Sequence, residues 1–173
     1  MDMVIRRADL DRLIAAVQPS AVLKVIGLRL ASFVDESFKT RGRGGWRPLA
    51  ASTLALRARG GDAPLQDTGR YKMSFVSETD NSTYVEVGSN IKTADGAPLA
   101  LIHEKGTGPY TIRVKQARML AAKTRAGTWM IFGREVHHPG VPARPVLPTV
   151  QQAETILKPV VEGMLERARD GSG

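Results

Sequence analysis

The sequence predicts an α+β fold, a central antiparallel sheet with a long N-terminal amphipathic helix before it and a C-terminal helix after it. Three observations point there. Apolar residues recur at helical spacing near both ends, the middle alternates residue by residue as half-buried strands do, and no internal repeat is present. The 173 residues suit a single domain spanning 1–173.

The first helix is expected at about 8–17, with Pro19 ending it. Ser20 would then cap a longer one over 21–39, about 28 Å long at 1.5 Å per residue. Leu23, Leu30, Val34 and Phe38 lie along one side of it, widened by Val22, Ile26 and Phe33. Lys24, Arg29, Glu36 and Lys39 fall mostly opposite. Gly27 sits in the apolar stripe, where its missing side chain permits a close neighbour.

Two basic, glycine-rich breaks follow, Arg41 to Gly45 and Arg57 to Pro64, with Trp46 and a short helix over 52–59 between them. Together they read as a flexible excursion at about 40–64 whose tryptophan docks on something apolar, in this subunit or in another. Asp67 to Gly69 has turn chemistry. Residues 71–78 fit a short helix or a strand equally. Residues 82–88 alternate as a strand, with Val85 and Val87 on one face and Tyr84 and Glu86 on the other. A loop over 90–98 leads to a short apolar turn or helix at 99–104.

A strand is expected at 110–116, with Ile112 and Val114 inward, and 119–123 reads as the continuation of a strand. The chain then turns at Arg125 to Gly127 and returns as one antiparallel strand over 128–137. Val141 to Leu147 carries two prolines and should be extended without joining a sheet centre. Thr149 and Gln152 form a capping-box pair at the start of the last helix, which Pro159 should kink or split.

Composition narrows the function. Apolar residues are 42% of the chain and aromatics only 5%, so the core must rest mainly on Leu, Val, Ile and Ala. Cysteine is absent, which excludes disulfides and thiolate chemistry and suits a reducing compartment. Neither a signal-peptide core nor an apolar run of roughly 18 residues is found, so a protein that stays in water, off the membrane, is expected. The net charge of +8 suits nucleic acid or acidic protein surface.

The residues show no constellation for catalysis. Walker, GxGxxG, G-x-S-x-G and HExxH patterns are all missing. His137 and His138 should point to opposite faces of a strand end, so a metal site built from them with His103 and Glu104 is disfavoured. Asp62, Asp67, Glu78 and Asp80 suit turns and caps. No cofactor is implied. Nucleic-acid binding is the stronger rival. Arg41, Arg43, Arg47, Arg57 and Arg59 cluster beside Trp46, and Arg113, Lys115, Arg118, Lys123, Arg125 and Arg134 stud the expected hairpin. Aromatics seldom interleave with these cations, unlike a single-strand stacking platform.

Three segments in order resemble the phage virion-morphogenesis (tail-completion) family, the Mu G-like and P2 S-like group related to neck and minor tail components. The first is Gly45 to Leu56 (GWRPLAASTLAL) with Leu65 to Gly69 (LQDTG). The second is Ala100 to Gly106 (ALIHEKG). The third is Phe132 to Gly140 (FGREVHHPG) running into Pro142 to Leu147 (PARPVL). Arg70, Ala100 and Val146 depart from the family pattern, which bears on the subfamily more than on the class.

The resemblance implies a non-enzymatic subunit made in the bacterial host cytoplasm and carried in the virion at the head–tail junction. It would form a ring, with six the expected number, and meet connector, neck, tail-tube or tail-terminator proteins, with passing contact to genomic DNA possible through the ring. Heterologous contacts would close such a ring. On that reading the contact residues are Arg41, Arg43, Trp46, Arg57 and Arg59 in the excursion, Arg113, Lys115, Arg134 and His137 in the hairpin region, and Arg144, a forked donor that braces an extended segment. The alternative function is a basic nucleic-acid-binding module. A hydrolase using His103, His137 and His138 is a third, weaker option.

Overall fold

A computed structural model of the chain describes residues 19–80 and 83–170. The helix expected at 8–17 lies outside them. In order come α1 (Pro19–Lys39), α2 (Ala51–Leu56), α3 (Arg70–Met73), β1 (Phe75–Thr79), β2 (Val85–Ser89), α4 (Leu99–Lys105), β3 (Tyr110–Arg113), β4 (Leu120–Lys123), β5 (Trp129–Gly133), β6 (Glu135–His138) and α5 (Val150–Asp170). The fold is α+β, with a long helix toward each end and antiparallel strands between them. Those strands form three two-stranded ribbons, β1–β2, β3–β6 and β4–β5.

Pro19 belongs to the first turn of α1 and Ser20 lies inside the helix, so Ser20 is not the cap. Proline is at home there because the first turn needs no N–H donor within the helix. Residues 71–78 contain both alternatives, a single turn of helix and then a strand. α2 stops at Leu56, short of the expected 59. Arg57 turns to extended backbone, and its guanidinium bonds to the carbonyls of Gly60 and Ala63.

The single strand expected at 128–137 is two strands. Gly133 takes φ +85°, which bends the chain between them. β5 pairs with β4 around the turn, Lys123 opposite Trp129, while β6 pairs with β3, Ile112 opposite Val136. Ile112 is 38% exposed and not buried as expected, because the groove it lines with Leu49, Leu56 and Val136 is open to solvent. At α5 the capping box is formed. Gln152 Oε1 accepts from Thr149 N at 3.0 Å and Gln152 N donates to Thr149 Oγ1 at 3.3 Å. Pro159 lies within α5 and does not split it.

The chain divides into two compact units. The first takes α1 through Phe33, residues 76–87 and the chain from Pro148 onward. In it α1 lies close on the β1–β2 ribbon. A Cβ at Gly27 would come 2.5 Å from Ser77 Oγ and 3.0 Å from Val85 Cγ2, so a larger residue would make those side chains shift. The second unit takes residues 34–75 and 88–147. Its centre is Phe38, fully buried, with Trp46, Tyr71 and Phe75 packed edge-on around it at centroid distances of 5.8–5.9 Å. A chain poor in aromatics has thus gathered four of them at one point.

Candidate functional site: a motif latch and an open ribbon surface

The three motifs lie apart in sequence and come together in the second unit, where their polar groups bond to one another's backbone. Trp46 is buried against Phe38, and its Nε1 donates to Pro145 O at 3.0 Å. Arg144 is 6% exposed. Its Nε and Nη2 donate to Arg47 O at 3.3 and 3.0 Å, and its backbone N donates to His103 O at 2.6 Å. Glu104 Oε1 accepts from the backbone N of Val146 at 2.7 Å and of Leu147 at 3.1 Å. From α1, Ser37 Oγ donates to Val146 O at 3.0 Å.

Close backbone approach completes the latch. Gly106 has φ +70°, and a Cβ there would meet Val141 O at 2.6 Å, so the loop after α4 packs directly on the 141–143 backbone. Thr107 N donates to Val141 O and Val141 N donates to Thr107 Oγ1, both at 2.9 Å.

The LQDTG motif is tied to the basic loop. Asp67 accepts from the backbone N of Ala58 at 3.0 Å and of Arg59 at 2.9 Å, which holds its carboxyl below the usual range. Arg57 is 6% exposed and approaches Asp67 at 3.7 Å. Across the excursion Arg41 forms a forked pair with Asp62 at 2.9 and 2.8 Å. The left-handed φ of +53° at Arg41 belongs to the glycine-rich turn that tucks Gly42 under the Trp46 ring.

His103 packs on the Tyr71 ring at 5.0 Å. Burial, with the Arg144 charge as a smaller cause, holds its imidazole below the usual value. Burial likewise pushes the Tyr71 phenol up, with Glu104 adding to it. His103 Nδ1 and Tyr71 Oη are buried without a hydrogen-bond partner among the described residues. His137 turns to Thr111 and Glu135, and His138 stacks on Tyr110 at 4.7 Å. The three histidines serve separate places. No group of three or more His, Cys, Asp or Glu that could hold a metal occurs among the described residues.

The ten expected contact residues therefore divide. Trp46, Arg57 and Arg144 are interior, and their contacts lie within the unit. Arg41 and Arg43 are exposed and engage Asp62 and Ser37. Arg113 is paired with Glu135 at 2.6 Å, and His137 leans on the same carboxylate at 3.3 Å. Arg59, Lys115 and Arg134 are exposed and make no ion pair among the described residues. Glu104 was weighed in the sequence only as a metal ligand, and its role as a backbone acceptor was missed. The Glu104 and Val146 partners lie 42 residues apart, so no local pattern marks the pair.

Beside the latch runs a groove of about 1200 Å³, lined by Leu49 and Leu56 on one side and by Ile112, Leu120, Phe132 and Val136 on the other. Arg144 and residues 137–142 also line it. The β4–β5 ribbon exposes Trp129 and Ile131, and Met119, just before it, is exposed as well. Among the described residues no helix is long and apolar enough to cross a membrane. No family model, curated protein or solved structure matches the chain.

Proposed function

We propose that the protein is a non-enzymatic structural subunit of a tailed-phage virion, acting at the head–tail junction in tail completion or the neck ring. It works by docking on copies of itself and on neighbouring connector, tail-tube or tail-terminator proteins. The observation that carries this reading is where the polar groups of the three motifs are spent. Trp46, Asp67, Glu104 and Arg144 all bond to backbone of their own chain. A catalytic group must reach a substrate, whereas these groups hold a scaffold rigid. What the scaffold leaves open is ribbon surface bearing large apolar side chains, the kind of surface that marks protein interaction.

The test is to locate the chain in intact particles by electron microscopy. Density for it at the head–tail junction is the expected result. Infectious particles matured without the protein would end the reading.

One observation favours a second reading. Lys115, Arg118, Lys123 and Arg134 lack ion-pair partners among the described residues, and Trp129 lies exposed among them, as a nucleic-acid surface requires. Binding of purified protein to duplex DNA with a steep dependence on salt would support it, and no binding at moderate salt would dismiss it.

A further inference from the structure

Two ribbons each leave one face uncovered, one bearing Glu78 and Glu86 and the other Lys123, with further cations close to it in sequence. In β1–β2, Ser77 and Val85 lie against Gly27 of α1. Alternation puts Val76, Glu78, Tyr84 and Glu86 on the other face, and all four are exposed. From 75 to 91 the sequence has acidic residues and no Lys or Arg. Neither Glu78 nor Glu86 forms an ion pair among the described residues.

In β4–β5 the register sets Ala121 opposite Ile131 and Lys123 opposite Trp129, and all four are exposed. Trp129 and Ile131 are 63% and 65% exposed. Ala122 and Met130, on the reverse face, are half-buried. From 114 to 134 the sequence carries Lys115, Arg118, Lys123, Arg125 and Arg134 and no carboxylate.

We propose that these faces are the two halves of one self-association contact. The β1–β2 ribbon of one copy lies on the β4–β5 ribbon of the next, with Val76 and Tyr84 against Trp129 and Ile131. Glu78 and Glu86 meet Lys123 and its basic neighbours. This rests on the reading of the protein as a self-assembling subunit and adds which surfaces meet. Opposite charge selects the partner, since like faces would repel and unlike faces attract. A second copy supplies the acidic face in equal number to the basic one. Nucleic acid would neutralise the cations, but would leave Val76 and Tyr84 bare and give Ile131 no apolar partner. The contact joins different patches, so each added copy presents a fresh face. It therefore builds a ring where the rotation closes and a filament where it does not.

The test uses the full chain and two blocked variants, Trp129→Glu on the basic face and Glu78→Lys with Glu86→Lys on the acidic face. Sedimentation velocity reads association and circular dichroism checks folding. Lys123→Glu serves as a second block of the basic face should Trp129→Glu not fold. The unaltered chain is expected to associate with rising concentration, and each blocked variant to lose at least about tenfold in association constant. An equimolar mixture of the two variants should give a 1:1 dimer and nothing larger, because one intact pair of faces remains. Association undiminished in both variants would overturn the assignment of faces and leave self-assembly standing. An unaltered chain that is monomeric at every concentration would overturn self-assembly as well. A monomeric chain whose Trp129 fluorescence is quenched by a DNA duplex would give the basic face to nucleic acid instead.

Discussion

The two tryptophans occupy opposite kinds of surface. Trp46 is 6% exposed, edge-on to Phe38, with its indole N–H donated to Pro145 O. Trp129 stands on a two-stranded ribbon with most of its ring in water. The arginines divide the same way. Arg57 and Arg144 are interior and donate to carbonyls, while Arg118 and Arg134 are exposed beyond the latch. The difference teaches that residue type does not say whether a side chain holds the fold or offers it to a partner. What decides is whether a backbone acceptor lies within reach once the chain has folded.

The largest expected effect strikes the packed side of that comparison. Trp46→Ala removes a buried ring and an indole donor together, and should lower the unfolding free energy by about 3–5 kcal/mol in urea denaturation. Arg144→Met comes next. It leaves Arg47 O unpaired beneath a side chain of similar length, and a loss of about 2–3 kcal/mol is expected in the same titration. Arg134→Met, its exposed counterpart, should leave the denaturation midpoint unmoved. Equal losses in the two methionine variants would erase the distinction between latch and ribbon.

A pH titration sharpens it further. His103 is held below its ordinary value by burial first and the Arg144 charge second. The unfolded chain therefore takes up this proton first as pH falls. The stability that rests on neutral His103 is complete above about pH 6.5 and is lost as pH drops through the lower, folded value. His103→Gln should flatten that stretch of the stability–pH curve. A curve of the same slope in the variant would mean that other groups govern it.

Tyr71→Phe deletes a buried hydroxyl that has no partner among the described residues, so the ring contacts survive and stability should hold or rise by up to about 1 kcal/mol. A clear loss would show that the hydroxyl is satisfied in solution. Smallest of all, Trp129→Ala should change thermal stability by no more than about 0.5 kcal/mol. Its effect is expected in association alone.

Much of the backbone was legible from local pattern. The apolar stripe from Leu23 to Phe38, the alternation at Tyr84 to Val87, the turn at Arg125 to Gly127 and the Thr149–Gln152 capping box all depend on neighbours within a few residues. Periodicity and turn chemistry report those directly. The break at Gly133 was harder to see. A continuous apolar run reads as one strand, and only a left-handed φ, which glycine permits without announcing it, divides β5 from β6.

By itself the sequence determined the α+β class, the two long helices, the lack of thiol chemistry and the basic surplus. Those follow from residue type and short-range spacing. Tertiary structure alone decided that Trp46 and Arg144 belong to the interior and that Glu104 clasps Val146 and Leu147. Each of these depends on which distant backbone groups arrive beside a side chain. Trp46 and Pro145 lie 99 residues apart and meet at 3.0 Å, with the Trp46 ring seated edge-on against the buried Phe38.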